Sequence, residues 1–250
     1  MDFYILLVSF LLIAIIYSSV GFAGGSSYLA VLSISLFGLA FPVIRSTALF
    51  CNIIVATGGA IIFYREGKLS LKECWPYMVI SVPMAYLGGF WPIKESTFFI
   101  LLGITLVIVP FFLWIQPKQN TAEVEVDRKS ILQKSVLGGA IGFLSGLVGI
   151  GGGIFLSPAL HLLRWSEPRR ISATASLFIL VNSIGGLAGQ FNRGIPDFSW
   201  RFLVPLLVAV FIGGQIGSRL GAKTFNALYI RRITAVLIFI AGANILKDHL

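Results

Sequence analysis

The sequence predicts an all-α polytopic membrane protein made of two inverted-topology repeats, each with about five helical segments. Composition is the first observation: 57% of the residues are hydrophobic and only 12% are charged, whereas a soluble domain carries about 25% charged residues. The second is the length of the uncharged apolar runs, such as 3–41 and 46–64, since roughly 20 such residues cross a hydrocarbon core. The third is that motifs of the first half recur in the second.

The apolar residues fall into five segments in each half. Segment 152–163 is too short to cross a bilayer alone. Together with 135–150 it is predicted to form a pair of shorter helices broken at glycines, and 3–20 and 23–40 form the matching pair near the start of the first half. No basic residue precedes the first segment, which is therefore interpreted as a membrane segment and not as a signal peptide. The segments are 3–20, 23–40, 46–64, 75–92 and 97–115, then 135–150, 152–163, 171–191, 200–220 and 230–246.

Three pairs of matching motifs indicate an internal duplication. The polar stretch 116–131 is predicted to be a cytoplasmic linker between a first membrane repeat, 1–115, and a second, 132–250. The matching pairs are 21-GFAGGSSYLAVL-32 with 149-GIGGGIFLSPAL-160, 47-TALFCNIIVATGG-59 with 174-TASLFILVNSIGG-186, and 83-PMAYLGG-89 with 208-VAVFIGG-214.

The distribution of Lys and Arg predicts the orientation, because these residues are enriched in cytoplasmic loops. If each glycine-broken pair enters the membrane and returns to the same side, 14 of the 19 basic residues lie on one side and 5 on the other. If each pair is one long span, the split is 10 to 9. The broken pairs are therefore favoured, with the 14-residue side cytoplasmic and both termini outside the plasma membrane, which is the inner membrane of a bacterium. An odd number of segments per half then places the halves in opposite orientations.

Glycines are concentrated where the helix pairs break, with five in the eight residues 146–153, although each glycine inside a helix costs about 0.5–1 kcal/mol relative to alanine. Inverted repeats with interrupted helices are typical of transporters that bind substrate near the midplane. A helix N-terminus carries unpaired N–H groups and a partial positive charge, so it binds anions. In this interpretation Gly151–Gly153, and Gly24, Gly25 and Ser26, form two facing anion sites. The alternative is that the glycines only permit close helix packing.

Small polar residues inside the apolar segments are the other candidates, because buried amides and hydroxyls can donate hydrogen bonds to an oxyanion. Asn182 and Gln190 are eight residues apart and lie nearly on one helix face. The alternative for each residue is an interhelical hydrogen bond. Arg45 is expected either to anchor its helix at the membrane interface or to attract an anion at the mouth of a path. The predicted substrate-binding residues are Gly24, Gly25, Ser26, Thr47, Asn52, Gly151, Gly152, Gly153, Thr174, Asn182, Gln190 and Gln215.

Several functions are not expected. No Asp, Glu or Lys lies deep within an apolar segment, which argues against a carboxylate-based proton relay. The chain has no G-x-S-x-G motif, no pair of buried aspartates and no Cys/His cluster, so no enzyme, metal or cofactor is predicted. Cys51 and Cys74 are not expected to form a disulfide, and no basic stripe with interleaved aromatics suggests nucleic acid. The expected partners are a small anionic substrate and the lipid bilayer, and a homodimer is left open.

Four motifs resemble the TauE/SafE-like sulfite exporter family, also called the toluene sulfonate uptake permease family. They are 149-GIGGGIFLSPAL-160, 172-SATASLF-178, the pair Gly185–Gly186 and 213-GGQIGSRLGAK-223. The resemblance extends to both repeats and implies a transporter of small sulfur-containing anions, such as sulfite or sulfonates, with export a common direction. The alternative is a cation-coupled or uptake permease for another small organic anion. Ala23 and Ala30 stand where the second half has a glycine and a proline, which puts equal contributions from the two halves in doubt.

Overall fold

The computed structural model describes residues 3–34, 38–115 and 130–223, together with short helical pieces between 235 and 247. Every regular element in these residues is a helix, which confirms the all-α prediction. The predicted linker 116–131 lies outside the described residues except for its last two, and the tenth segment, 230–246, is described only in part. The helices are α1 (Phe3–Ser18), α2 (Gly25–Ile34), α3 (Phe41–Arg65), α4 (Leu71–Met78), α5 (Ser81–Phe90), α6 (Glu95–Ile115), α7 (Ile131–Val148), α8 (Gly153–Leu162), α9 (Pro168–Phe191) and α10 (Trp200–Lys223).

Four helices are long and apolar enough to cross a membrane, namely α3, α7, α9 and α10. Shorter apolar helices accompany them, including α1 and α8. The break between α7 and α8 occurs where the glycine cluster predicts it, with Gly149, Gly151 and Gly152 at positive φ. The matching break between α1 and α2 has Gly21 and Gly24 at positive φ. Both helix pairs are therefore broken at the glycines, as predicted.

Two of the differences between the predicted segments and the helices are explained by prolines. Segment 75–92 is not one helix but α4 and α5, with a turn at Val79 and Ile80. Pro83 explains this break, because a proline lacks an N–H and its ring crowds the carbonyl four residues earlier. The third segment begins at Phe41 and not at 46, since Pro42 suits the first turn of a helix.

Helices α3 and α9 pack against each other antiparallel at the centre of the bundle. At one end Ser46 donates a hydrogen bond to Gln190, and at the other Lys68 pairs with Glu167. We refer to these as the Arg45 end and the Arg65 end of the bundle, after residues of α3. Around this central pair, α1 packs on α10 and α5 packs on α7.

Two rows of glycines allow the outer pairs to approach closely. On each row a Cβ atom would overlap a backbone carbonyl of the neighbouring helix, so any side chain would force the helices apart. Close packing is therefore the role of these glycines, which are distinct from those at the two breaks. On α7 the row is Gly138, Gly142 and Gly146, against the carbonyls of Tyr77, Ser81 and Ala85, and on α10 it is Gly213, Gly217 and Gly221, against those of Leu11, Ile15 and Ser19.

The packing has the pairing that an inverted repeat requires. The motif alignment matches α2 with α8, α3 with α9, and α5 with α10. Exchanging the halves on this alignment turns the α1–α10 contact into the α7–α5 contact, and the structure contains both. The α3–α9 contact maps onto itself. This supports the two repeats, whose boundaries remain a prediction.

Candidate functional site

The two helix breaks meet at Asn52, in the middle of α3. Its side chain is fully buried, and its Nδ2 donates a 3.0 Å hydrogen bond to the carbonyl of Ile150, inside the second break. A Cβ at Gly25, the first residue of α2, would overlap the same amide. A Cβ at Gly151 would lie 3.2 Å from Asn52 Nδ2. One side chain therefore contacts both breaks, one from each half of the chain.

Helix starts surround this amide. Helix α2 begins at Gly25 and α8 at Gly153, and the first N–H groups of a helix have no partner within it. Gly24 and Gly152 lead into these starts with left-handed backbone conformations, φ +88° and +83°. A partial positive charge is expected at each start. Helix α2 therefore starts directly against the Asn52 amide, and α8 starts two residues after Gly151, which lies beside the same amide.

Ser183 on α9 also lies beside Gly151, although it is not among the predicted residues. A Cβ at Gly151 would lie 2.6 Å from Ser183 Oγ, so this hydroxyl and the Asn52 amide face the same point of the break. The hydroxyl is fully buried and has no hydrogen-bond partner in the part of the chain that the structure describes. The only signal for Ser183 in the sequence was a hydroxyl within an apolar helix. In the structure Ile179, one helical turn earlier, faces Gly151 as well.

The other predicted residues lie at three levels along α3 and α9. Ser26 is buried in the first turn of α2, Gly152 packs against Phe178 and Gly153 against Ile179, all near the middle. Thr47 and Gln190 lie at the Arg45 end, and the Gln190 carbonyl accepts a 3.0 Å hydrogen bond from Ser46. At the Arg65 end, Thr174 contacts the Cys74 sulfur at 3.2 Å, and Gln215 lines a cavity of about 330 Å³ with Arg65, Glu66 and Arg219.

The expected pair of Asn182 and Gln190 is not brought together by a direct contact. Eight residues of helix separate their backbones by about 12 Å. Asn182 Nδ2 donates instead to the Phe178 carbonyl of its own helix at 2.8 Å. Like Asn52, it uses one amide N–H on a backbone carbonyl, and a side-chain amide has a second N–H to offer.

Buried polar atoms without hydrogen-bond partners are concentrated on α3 and α9. Packed interiors satisfy nearly all such atoms, so the polar groups of these two helices are unusually poorly matched within the protein. Among the described residues of α3 and α9, these atoms are Arg45 Nε, Thr47 Oγ1, Asn52 Oδ1, Asn182 Oδ1, Ser183 Oγ and Gln190 Nε2.

Arg45 corrects one expectation. It is 4% exposed, so it does not anchor the helix at the interface. Its Nη2 donates to the carbonyls of Gly146 and Leu147 at 3.1 and 2.9 Å. Arg45 thus caps the carboxyl end of α7, where a positive charge is favoured. The sequence could not indicate this, since those carbonyls come from the other half of the chain.

Two serines on α9 have the same relationship to the first break. Ser172 Oγ donates to the Val20 carbonyl at 2.9 Å and Ser176 Oγ to the Gly21 carbonyl at 3.1 Å. In the motif alignment Ser172 is the counterpart of Arg45. Each central helix therefore holds the broken pair of the opposite half.

Comparison with known proteins agrees with the resemblance. The family model described as "Sulfite exporter TauE/SafE" matches residues 5–245. The chain is 32% identical to the probable membrane transporter protein y4hK of Sinorhizobium fredii, covering 96% of this chain and 97% of the relative. It is 29% identical to the probable membrane transporter protein YdhB of Bacillus subtilis, covering 90% of each. A third relative, the probable membrane transporter protein MJ0441 of Methanocaldococcus jannaschii, is 27% identical over 82% of this chain and 77% of its own.

No solved structure matches the chain. The family match and the relatives extend over nearly the whole sequence, and the relatives are named as transporters and not as enzymes. The apolar helices and the family together identify an integral membrane transport protein. The chain belongs to the TauE/SafE sulfite exporter family.

Proposed function

We propose that the protein moves small sulfur-containing anions, such as sulfite or sulfonates, across the bacterial inner membrane, in the direction of export. The observation that carries the proposal is the meeting of both helix breaks at Asn52. Two helix starts, the second amide N–H of Asn52 and the Ser183 hydroxyl together offer donors to an oxyanion.

The charge of the buried residues favours an anion. Among the described residues, the buried polar set contains Arg45 and His161 but no Asp, Glu or Lys. A cation at the same depth would meet no carboxylate, whereas an anion would meet helix starts and amide groups. The buried interior of α3 and α9 is therefore better suited to a negative solute.

Two cavities flank the proposed site along α3. One, of about 250 Å³, is lined by Arg45 and Ser46, and the other, of about 330 Å³, is lined by Gly58 and Ile61. Asn52 lies between these two groups, which are about 18 Å apart along the helix. Cavities on both sides of a packed middle are what alternating access to one site requires.

The second candidate function is cation-coupled transport, or uptake, of another small organic anion. It is favoured by the side-chain carbonyl oxygens of Asn52 and Asn182. Neither has a hydrogen-bond partner among the described residues, and both are acceptors of the kind that bind hard cations. Dependence of flux on a Na⁺ gradient would distinguish it from uncoupled export.

The test is uptake of radiolabelled sulfite into proteoliposomes, with methanesulfonate and small carboxylates as competitors. Ser183→Ala removes a hydroxyl that holds no other group in place, so we expect an unchanged melting temperature and a KM for sulfite raised about tenfold, as for one lost hydrogen bond to a charged group. Ser9→Ala, at a hydroxyl bonded only within α1, is the matched control. Absence of saturable flux for every anion tested, in folded wild-type protein, would overturn the proposal.

A further inference from the structure

A polar cavity lies at the Arg45 end, away from the Asn52 site. It has a volume of about 250 Å³ and is formed by the start of α3, the end of α9 and the loop that follows α9. Its polar side chains are Arg45, Ser46, Gln190 and Arg193. We call it the Arg45 pocket. Since one water occupies about 30 Å³, it has room for a small oxyanion together with several waters.

The pocket holds two positive charges and no negative one. They belong to Arg45 and Arg193, which both line the cavity. Neither takes part in an ion pair with any described carboxylate, because the ion pairs of the described residues lie at the Arg65 end, between Lys68 and Glu167 and between Arg170 and Glu73. A cavity lined by two arginines and by no carboxylate is suited to binding an anion.

Two deeply buried donors in the pocket are also without acceptors. Among the described residues, Arg45 Nε has no hydrogen-bond partner although Arg45 is only 4% exposed, and Gln190 Nε2 has none although Gln190 is only 8% exposed. Ser46 fixes the orientation of Gln190 by donating to its Oε1 at 3.0 Å. Gln190 Nε2 and Arg45 Nε are therefore two unmatched donors in residues that line the pocket, and leaving either unmatched is unfavourable in a buried position.

We propose that the Arg45 pocket is a second anion site, which binds a small oxyanion and prefers one with two negative charges to one with a single charge. Arg193, Arg45 and Gln190 are its donors. The pocket lies about one and a half to two helical turns from Asn52 along α3, or about 10 Å. It would therefore bind an anion separately from the Asn52 site, at the Arg45 end of the bundle. The identification of its ligand with the transported anion rests on the proposed function.

Arg193 is the residue to change, because Arg45 also closes the end of α7 and its loss would disturb the fold. Equilibrium binding of radiolabelled sulfite and of methanesulfonate would be measured on the purified protein in nanodiscs of phosphatidylcholine, at a pH where sulfite carries two charges. Sulfite flux would be measured in parallel in proteoliposomes. The variants are Arg193→Gln and Arg193→Lys, with Arg201→Gln, an exposed arginine outside the pocket, as the matched control.

We expect wild type to bind sulfite more tightly than methanesulfonate. Arg193→Gln should weaken sulfite binding about tenfold and methanesulfonate binding less, Arg193→Lys should recover part of the loss, and Arg201→Gln should match wild type. Equal binding of the two anions, or equal behaviour of Arg193→Gln and Arg201→Gln, would overturn the inference while leaving sulfite flux, and the proposed function, intact. Binding that depends on Arg193 without any wild-type flux would instead support the pocket and overturn the proposed function.

A phospholipid headgroup offers the same oxyanion chemistry from a second source. Nanodiscs containing phosphatidylglycerol distinguish the two. If sulfite binding is unchanged in them, the pocket takes a soluble anion, and if the anionic lipid abolishes sulfite binding, the pocket is a lipid site and the inference is wrong.

Discussion

The side-chain amide of Asn52 donates to the backbone carbonyl of Ile150 across 3.0 Å, between residues that are 98 positions apart. The bond satisfies a carbonyl that the broken helix leaves without an intrahelical partner. It also fixes the second break against the middle of α3, with Gly25 of the first break on the same amide. One hydrogen bond thus connects the two halves of the chain at the proposed site.

Replacing Asn52 by Ala should therefore cost both stability and transport. The Ile150 carbonyl would stay buried without a donor, which costs about 1–3 kcal/mol, and the site would lose an amide N–H. We expect a lower melting temperature in detergent and loss of most sulfite flux. Thr57→Ala is the control on the same helix, because Thr57 bonds only to the Ile53 carbonyl of α3 itself. An Asn52→Ala protein as stable and active as Thr57→Ala would contradict the role assigned to this bond.

The left-handed glycines at the second break should not tolerate a side chain. Gly152 has φ +83°, a conformation that costs an L-residue about 1–2 kcal/mol, and a Cβ there would lie 2.8 Å from the Phe178 ring and 3.0 Å from Ser145. Gly152→Ala should therefore lower the melting temperature through both strain and crowding.

Gly67 separates these two contributions. It has φ +67°, but a Cβ there would meet nothing within 4 Å, so Gly67→Ala introduces the strain without the crowding. Thermal unfolding of both variants should show the larger decrease for Gly152→Ala, which should also lose sulfite flux. Equal decreases would mean that the break has room for a side chain.

The sequence was sufficient to predict features that depend on neighbouring residues. The glycine clusters predicted both breaks, and Pro83 contained the signal for the unpredicted break between α4 and α5. The site was predictable only in part. Arg45 and Asn52 bond to carbonyls about 100 residues away, and a bond to a distant backbone group leaves no periodic pattern in the sequence. Asn182, in contrast, donates to a carbonyl of its own helix. The presence of an amide at this position therefore did not indicate a contact with Gln190.

The glycine row on α7 gives a prediction about packing. A Cβ at Gly142 would overlap the Ser81 backbone, whereas a Cβ at Gly139, three residues earlier, would meet only side-chain atoms, the nearest being Cγ2 of Ile80 at 2.8 Å. Inserting a methyl group against fixed backbone costs about 1–3 kcal/mol. Gly142→Ala should therefore melt at a clearly lower temperature than Gly139→Ala. The opposite order would show that α5 and α7 are not held at backbone contact.

The direction of α4 and α5 across the membrane can be argued from the same row. Gly138 contacts Tyr77, Gly142 contacts Ser81 and Gly146 contacts Ala85, so residue numbers increase in the same direction along α7 and along α4 and α5. The two short helices therefore run along α7 in one direction in spite of the turn between them. From 71 to 90 they span about 30 Å, the thickness of a hydrocarbon core. Lys72 lies near the start of α4 and Lys94 lies just after the end of α5. The two lysines should therefore be on opposite sides of the membrane.

Cysteine labelling tests this, because Cys51 and Cys74 are 0% and 1% exposed and should not react in the folded protein. Given the excess of basic residues expected inside, a membrane-impermeant maleimide should label Lys94→Cys and not Lys72→Cys in intact cells, with the reverse in inside-out vesicles. Wild type, labelled only after denaturation, is the control. Labelling of Lys72→Cys alone in intact cells would invert the predicted orientation. Labelling of both variants from one side would mean that α4 and α5 together do not cross the membrane. The first half would then have an even number of crossings, and the two halves would not have opposite orientations.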